Sequence, residues 1–244
     1  KRQGQNCPGE FKPQEGPWNP QAPFTAVEVE YSIIISPADW YFKPEQRDYA
    51  PSGVPDFDQK QDKWVNPKTD LWSWCGPTAV ANSLWWLDSR FEPKPIPPPD
   101  INDGFPLVQS YKPGFWDDHD PKNVPPFIHE LAWLMDTDGM RTGSAHYGTN
   151  VMDMQRGIDE YLRMKGLLDM FYEKTVKMPT FECIEEELYK CEDVILLLGF
   201  WQYNPTTYRW SRTGGHYVTV PGVDSLEWWI AFSDPFVDNA EPVS

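Results

Sequence analysis

The amino-acid sequence predicts an α+β fold, in which helical segments come first and most of the strands follow. Apolar residues recur at helical spacing in several segments between residues 77 and 190, and three strand-length runs follow between residues 194 and 232. This segregation favours an α+β protein over a doubly wound sheet, in which helices and strands alternate along the chain. The sequence contains no internal repeat.

The composition indicates a folded chain with a substantial core. Of its 244 residues, 40% are hydrophobic and 15% are aromatic, which excludes wholesale disorder. A chain of this length forms one large domain or two small ones. We interpret residues 1–50 as a Pro-rich N-terminal arm with one strand, and residues 51–244 as the main folded domain.

The charge of the chain disfavours two classes of partner. It carries 37 acidic and 21 basic side chains, a formal net charge of −16. A nucleic-acid binder instead needs clustered Lys and Arg to neutralise phosphates, so we expect no nucleic-acid partner. The acidity also disfavours an anionic membrane surface. No membrane span is expected, because the longest uncharged run, residues 71–87, contains polar side chains, whereas a span needs roughly 20 mostly apolar residues.

The N-terminal part predicts little regular structure. Five prolines and weak periodicity make residues 1–24 an extended arm. Residues 27–35 alternate in polarity and predict a strand, which Pro37 ends. We expect irregular structure over residues 37–55, followed by extended chain that leads into a loop to about Asp70.

A helix is predicted after Cys75. Pro77 suits the first helical turn, where its missing N–H has no intrahelical partner to lose. Apolar residues then recur at helical spacing, at Val80, Leu84 and Leu87. The Pro-rich residues 93–99 predict a rigid connector, and residues 100–124 predict a polar loop.

Three further helices are predicted from apolar residues three or four positions apart. The first ends before Gly139, and Gly166 closes the second. Their apolar positions are Phe127, Leu131 and Leu134, then Val151, Met154, Ile158 and Leu162, then Phe181, Ile184 and Leu188. We expect Ile158, Leu162 and Leu188 to face inward.

Three strands are predicted near the C-terminus. Residues 194–200 are continuously apolar, which predicts a central strand covered on both faces. Residues 216–220 alternate in polarity, and residues 228–232 form another apolar run of strand length.

Cys75 is the leading candidate for a nucleophile. The sequence Trp-Cys-Gly-Pro-Thr around it places the thiol at a helix N-terminus, where unpaired N–H groups and the helix dipole favour a thiolate. The competing interpretation is a buried structural cysteine, since free Cys is among the most buried residue types.

His216 is the leading candidate for a base among four histidines. It follows two glycines at the start of a predicted strand, and glycines there allow a backbone or ligand to approach closely. His119 lies in an acidic loop and could ligate a metal beside carboxylates, but a solvated loop explains it as well. His129 fits a structural role on a helix, and His146 lies in an uninformative Gly/Ser loop.

The spacing of the candidates adds a third residue. His216 follows Cys75 by 141 residues, and papain-type enzymes place the His and an orienting residue roughly 130–150 positions after the Cys. Asp234 follows the last predicted strand and precedes Pro235, which places it at the strand end. Asp224 is the rival, in the predicted turn before that strand.

The remaining cysteines do not form a recognisable framework. Four cysteines are too few for a disulfide scaffold, and they lack the paired spacing of a zinc site. Cys183 and Cys191 are predicted on one helix about 12 Å apart, beyond disulfide reach if the helix is continuous. The start without Met, the acidity and the Pro-rich arm lead us to expect a secreted or cell-surface protein.

Four motifs in order resemble one enzyme family. These are Val-Pro-Asp-Phe-Asp-Gln at residues 54–59, Trp-Cys-Gly-Pro-Thr-Ala at 74–79, Gly-His-Tyr-Val-Thr-Val at 215–220 and Ser-Asp-Pro at 233–235. Together they are similar to the double-glycine leader peptidase-like branch of the papain-like cysteine peptidases, over roughly residues 54–236. Pro77 stands where the papain signature has a second cysteine, and residues 1–50 are not covered.

The resemblance implies a fold and a set of roles. The fold would be papain-like, with a nucleophile helix packed against an antiparallel sheet that carries the His and the Asp. Cys75 would be the nucleophile, His216 the base, Asp234 its orienting group and Gln59 an oxyanion donor. Gln61 competes with Gln59, but its charged neighbours lead us to expect Gln61 in a solvated loop.

The function expected from these features is thiol-dependent cleavage of a peptide or protein substrate. A thiolate–imidazolium pair would form an acyl-enzyme that water then hydrolyses, without a metal or an organic cofactor. Two alternatives stay open. One is a catalytically silent domain of the same fold that binds a surface, and the other is a transpeptidase that uses the same groups.

Overall fold

The computed structural model describes residues 40–44, 54–61, 64–66, 68–91, 105–108 and 124–237. Its helices are α1 (Cys75–Phe91), α2 (Val124–Leu134), α3 (Val151–Met164) and α4 (Phe181–Tyr189), with a short 3₁₀ turn at Thr137–Gly139. Its strands are β1 (Trp40–Phe42), β2 (Val65–Asn66), β3 (Leu71–Trp72), β4 (Ile195–Asn204), β5 (Arg209–Asp224) and β6 (Trp229–Ser233). The α+β class is confirmed, as are the four helices predicted in this part of the chain.

β5 is the centre of the antiparallel sheet. Its first part pairs with β4, from Arg209 opposite Asn204 to Thr219 opposite Ile195. Its last part pairs with both β1 and β6, through residues 222–224. Since Thr219 also pairs with Ser233 of β6, β6 lies along one edge of β5 while β4 and β1 lie end to end along the other. β2 and β3 form a separate short hairpin.

The prediction that residues 194–200 form a central strand is wrong. These residues do form most of β4, but in the described part of the chain β4 pairs only with β5. No β4 residue is fully buried, and Phe200 is 52% exposed. A continuous apolar run does not distinguish a central strand from an edge strand whose outer end is exposed, and this ambiguity explains the error.

The main core lies between α1 and the helices that pack on it. Nearly all of α1 is buried, including Ala79, Val80 and Trp85. On one side, Thr219 Oγ1 donates a 2.9 Å hydrogen bond to the Ala79 carbonyl, which fixes α1 on the sheet. On the other side, α2 and α3 close the core with a group of buried residues: Phe127, Ile128, Leu131, Tyr161 and Leu162.

A second cluster covers the opposite face of the sheet. Ile184 and Leu188 of α4 pack against Val220 and Val223 of β5. The inward positions of Leu188 and Leu162 are therefore confirmed, and Ile158 packs against the main core as a partly buried residue. The two helical layers hold β5 between them, which makes this strand a rigid support for the residues that it carries.

Part of the predicted polar loop is core. Leu107 and Val108 are buried, although we predicted a polar loop over residues 100–124. The Val108 N–H donates to Asp88 Oδ1 on α1, and the Tyr161 hydroxyl donates to the Leu107 carbonyl. These hydrogen bonds satisfy the backbone of a short non-helical segment inside the core.

Several of the sequence predictions concern residues outside the described ranges. This applies to the arm at residues 1–24, the strand at 27–35, the connector at 93–99 and His119. Residues 40–42, within a stretch predicted to be irregular, form β1 and extend the sheet. None of the helices in the described ranges is long and apolar enough to cross a membrane.

The cysteines of the described residues differ in state. Cys75 and Cys191 are free, whereas Cys183 is disulfide-bonded. We predicted one continuous helix through Cys183 and Cys191, but α4 ends at Tyr189 and Cys191 has a left-handed φ of 58°. The helix therefore stops before Cys191.

Candidate active site

Cys75 is the first residue of α1. The Trp74 carbonyl before it accepts hydrogen bonds from both the N–H and the Oγ1 of Thr78, at 3.2 and 2.8 Å. The first helical turn is thus closed by backbone and side chain together. Cys75 lies at the positive end of a 17-residue helix, which is the position predicted for a nucleophile, and the residue is only 9% exposed.

Asp138 holds the chain that leads into Cys75. Its Oδ2 accepts from Ser73 Oγ at 2.6 Å and from Trp74 Nε1 at 3.2 Å. Its Oδ1 accepts from the Gly148 N–H at 2.7 Å. One carboxylate therefore ties the start of α1 to the loop before α3, and Asp138 itself has a left-handed φ of 55°.

Gly76 lets the same loop approach the helix start. A Cβ at Gly76 would lie 2.7 Å from Thr149 Oγ1 and 2.8 Å from Thr149 Cβ. The Thr149 hydroxyl is in turn hydrogen-bonded to that of Thr137 at 2.7 Å, within the core. The Gly after Cys75 is therefore required by close packing next to the thiol.

His216 and Asp234 come together at the end of β6. Thr219 pairs with Ser233, so the same register places Asp234 opposite Val218, two residues from His216. Residues in this diagonal relation share a face of an antiparallel pair and lie within side-chain reach. His216 Nε2 and Asp234 Oδ1 are 2.5 Å apart, and Oδ1 also accepts from the Phe236 N–H at 2.8 Å.

Both Asp234 and Cys75 act on the protonation of the His216 ring. Burial disfavours the charged ring, but the hydrogen bonds to Asp234 and to Cys75 outweigh it and raise the pKa of His216 to about 9. Burial also disfavours the Asp234 carboxylate, yet the hydrogen bonds from His216 and the Phe236 N–H lower the pKa of Asp234. Since Nε2 is bonded to Asp234, Nδ1 is the ring nitrogen left for Cys75.

Asp224 is not part of this arrangement. It lies at the far end of β5, where its Oδ1 accepts from the N–H groups of Leu226 and Glu227. The carboxylate therefore caps the turn between β5 and β6. Of the two aspartates weighed from the sequence, the one bonded to His216 is Asp234.

Gln59 lies next to the Asp234 turn. Its N–H donates to the Pro235 carbonyl at 2.8 Å, and its side chain is buried with its Oε1 unpartnered. The expectation that Gln61 is solvated is wrong, because Gln61 is only 9% exposed. Its carbonyl accepts from the Trp64 N–H and from Trp72 Nε1, which tie Gln61 to the β2–β3 hairpin.

Asn82 joins the three segments that carry the candidate residues. It lies two turns after Cys75 on α1, where its Oδ1 accepts from the Phe57 N–H at 3.0 Å and its Nδ2 donates to Ser233 Oγ at 3.1 Å. Ser233 Oγ also lies 2.9 Å from the Pro55 carbonyl. Helix α1, the Gln59 segment and the end of β6 are thereby fixed to one another.

Sequence reasoning missed Asn82, Ser233 and Asp138 as positioning residues. Asn82 carries a signal in the sequence, because it is a polar residue on the apolar helix, seven positions after Cys75. Ser233 belongs to the Ser-Asp-Pro motif at residues 233–235, but the motif gives no indication of its positioning role. Asp138 offers no such signal, because its partners Ser73 and Trp74 lie more than 60 positions earlier in the chain.

The other two histidines of the described residues, His129 and His146, have different neighbours. His129 is exposed, with its ring centroid 5.7 Å from that of Trp74. His146 Nε2 lies 2.9 Å from the Asp136 carbonyl oxygen. His146, Asp136 and Asp153 could offer three ligand atoms within 4.8 Å of one another. However, the Asp136 carboxylate already accepts from Arg141 and Thr142, so we assign no metal there.

Comparisons with known proteins assign no family. No protein-family model, no curated protein and no solved structure matches the chain.

Proposed function

We propose that this protein is a thiol-dependent amide hydrolase that cleaves a peptide or protein substrate through Cys75, His216 and Asp234. The observation that carries the proposal is the His216 ring, which is hydrogen-bonded to Asp234 and whose pKa, against the effect of burial, is raised by both Asp234 and Cys75. A nucleophile and a base within hydrogen-bond reach, with a third group that orients the base, is the arrangement that covalent catalysis requires.

Acylation begins with the Cys75 thiolate attacking the substrate carbonyl carbon. The carbonyl oxygen becomes an oxyanion, and we assign its stabilisation to the Cys75 N–H at the start of α1 and to the Gln59 side-chain amide. The His216 imidazolium then gives its proton to the amine as the C–N bond breaks. The products of this step are the free amine and a thioester on Cys75.

Deacylation uses the same groups in reverse roles. Neutral His216 takes a proton from water, and the oxygen of that water attacks the thioester carbonyl. The C–S bond then breaks, which releases the acid and restores the thiolate–imidazolium pair. Asp234 stays ionised throughout and holds the ring by its hydrogen bond to Nε2–H, which is consistent with its lowered pKa.

The surroundings of Cys75 support a catalytic role for this residue over a purely structural one. A buried structural thiol needs no charged partner, whereas Cys75 contacts a histidine whose raised pKa favours the imidazolium. The three segments that carry the candidate residues are cross-linked through Asn82. Such rigid positioning is what a preorganised site requires.

We further propose that the fold is papain-like and that the protein is exported. The nucleophile begins a helix that packs on an antiparallel sheet, and the His and Asp come from β5 and from the end of β6. The disulfide at Cys183 supports export, because such bonds persist mainly in oxidising compartments.

The test is an unbiased peptide-library digest with the wild-type protein and with Cys75→Ala. We expect cleavage by the wild type and none by the variant, with a thioester on Cys75 detectable by mass spectrometry after rapid acid quenching. Adding an amine nucleophile distinguishes the transpeptidase alternative, which would yield amide products in place of acids. Absence of both cleavage and transfer would favour the silent binding domain.

A further inference from the structure

Two glycines face each other in the sheet directly before the candidate base. Gly199 of β4 pairs with Gly215 of β5, and Gly215 immediately precedes His216. Glycine weakens a strand interior and often marks a place where another group approaches the backbone closely. The facing pair leaves this part of the sheet surface without side chains of its own.

The group that approaches the glycines is the Arg212 guanidinium. A Cβ at Gly215 would lie 2.5 Å from Arg212 Nη2, and a Cβ at Gly199 would lie 3.8 Å from Arg212 Nε. Arg212 Nε also donates to the Gly214 carbonyl at 3.0 Å. Both glycines and one carbonyl therefore seat the guanidinium against the strand, on the face of the sheet that Tyr217 shares with Gly215.

A register shift places Arg212 on this surface. The pairing of β4 with β5 changes between Phe200 and Trp201, so that Trp201 lies opposite Arg212. The Trp201 indole Nε1 would lie 3.0 Å from a Cβ at Gly199. Trp201 and Arg212 thus lie next to the part of the sheet surface that the two glycines leave without side chains, and both are exposed.

Two cations lie near the site although the chain carries a net charge of −16. Burial and Cys75 raise the pKa of Tyr217 to about 12 against an opposing effect of Arg212. For Asp234, burial raises the pKa, while the bonds from His216 and the Phe236 N–H lower it, and Lys60 adds to the lowering. Arg212 forms no ion pair within the described residues, and its side chain is exposed. The Tyr217 hydroxyl is affected by Cys75 as well as by Arg212.

We propose that Arg212 forms a subsite for an acidic side chain of the peptide substrate, close to the scissile bond. The planar guanidinium presents paired N–H donors that match a carboxylate bidentately. Its Nε is already bound to Gly214, so the Nη groups are the donors available to a ligand. The proposal rests on the proposed peptidase function, because it identifies the substrate class of the same site.

The first test compares peptide specificity in four proteins. Peptides carrying Asp, Asn or Lys at each of three positions on either side of the scissile bond are cleaved by wild type, Arg212→Gln, Arg212→Glu and Arg209→Glu. Arg209 is the matched control, because it is an exposed arginine of the same strand that pairs with Asn204 near the hairpin end. Thermal unfolding of each variant checks that it is folded.

We expect the wild type to favour Asp over Asn and Lys at one position by about tenfold, the size of one charged hydrogen-bonded contact. Arg212→Gln should abolish this preference, Arg212→Glu should reverse it towards Lys, and Arg209→Glu should preserve it. A wild type without acidic preference, or a preference that survives in Arg212→Glu, overturns the proposal.

A second test does not depend on peptide cleavage. The rates at which iodoacetate and iodoacetamide alkylate Cys75 are compared at pH 6, since the two reagents differ mainly in charge. We expect Arg212→Glu to lower the iodoacetate-to-iodoacetamide ratio at least threefold, and Arg209→Glu to leave it unchanged. If the ratio falls but no peptide is cleaved by any protein, the anion subsite stands and the peptidase function fails. An unchanged ratio in Arg212→Glu removes the subsite.

Discussion

The His216 imidazole and the Asp234 carboxylate form a 2.5 Å hydrogen bond between two strands of one sheet. The antiparallel register of β5 and β6 creates this contact, because Asp234 directly follows the residue paired with Thr219. The bond leaves the second ring nitrogen of His216 for Cys75. This pair of residues links the architecture of the sheet to the chemistry that we propose.

Replacing Asp234 with Asn should move the pH dependence of activity. The pKa of His216 is raised to about 9, largely by Asp234 and Cys75 against the opposing effect of burial. The wild type should therefore lose activity as the pH rises through about 9, where the imidazolium proton is lost. In Asp234→Asn this loss should begin at lower pH, and kcat/KM near pH 7 should fall about 10- to 100-fold, within the range of acid–base contributions.

The control for this experiment is Asp224→Asn. Asp224 caps the turn after β5, so its replacement should affect stability slightly and leave the alkaline limb of the pH profile near 9. An unshifted limb in Asp234→Asn, or the same shift in both variants, would refute the assignment of Asp234.

Stability should depend on pH through the same histidine. The pKa of His216 is about 9 in the folded protein, against 6.5 for an unperturbed histidine. A raised pKa means that the folded state holds the proton more tightly, so the stabilisation is complete below about pH 6.5 and is lost as the pH rises through about 9. Urea unfolding from pH 6 to 10 measures this, and His216→Gln should flatten that part of the curve.

Gln59→Ala should reduce turnover with little effect on folding. Losing one oxyanion donor costs about 100- to 1,000-fold in kcat, and the Gln59 N–H to the Pro235 carbonyl survives the substitution. Gln61 is buried, so Gln61→Ala should lower stability, but kcat should stay near that of the wild type. A large loss of kcat in Gln61→Ala with none in Gln59→Ala would exchange the two assignments.

Asn82→Ala should destabilise the domain and loosen the site. It leaves the Phe57 N–H without its acceptor and Ser233 Oγ without its donor, and each buried unsatisfied group costs about 1–3 kcal/mol. We therefore expect a loss of about 2 kcal/mol or more in urea unfolding, together with lower kcat. Asn204→Ala, at an exposed position of β4, is the control. Equal effects of the two variants would show that Asn82 does not hold the segments together.

Asp138→Asn should reduce activity without unfolding the chain. Asn tolerates the left-handed φ of this position, but it replaces one acceptor oxygen with a donor. Position 138 should then lose the hydrogen bond from Ser73 or the one from Gly148, so the link between the start of α1 and the loop before α3 weakens and Cys75 should shift. A displacement of about 1 Å can cost roughly 100-fold in rate, so we expect kcat/KM to fall at least tenfold. Asp169→Asn, an exposed change, should have no effect.

The sequence predicts the helices and the contact between His216 and Asp234 well. Helical spacing and the Pro at position 77 correctly locate α1 and its start at Cys75, since these signals are local. The bond between His216 and Asp234 also follows from sequence, because two antiparallel strands joined by a turn bring these positions to neighbouring sites.

Long-range packing is what the sequence did not reveal. An apolar run such as residues 194–200 is expected of a central strand and of an edge strand alike. The two are distinguished only by the strand pairing, and among the described residues β4 pairs with β5 alone. The burial of Gln61 depends on Trp72, eleven residues later, donating to its carbonyl. Asp138 acts through a loop that contacts the start of α1, and no local pattern encodes that contact.

The most direct measurement of the central claim is the rate at which iodoacetamide alkylates each free cysteine at pH 6. An ordinary thiol with a pKa of about 8.5 is only about 0.3% thiolate at this pH. If Cys75 forms an ion pair with His216, it should be labelled much faster than Cys191, and His216→Ala should remove most of the difference. Labelling of Cys75 at or below the rate of Cys191, in folded protein, would contradict an activated nucleophile.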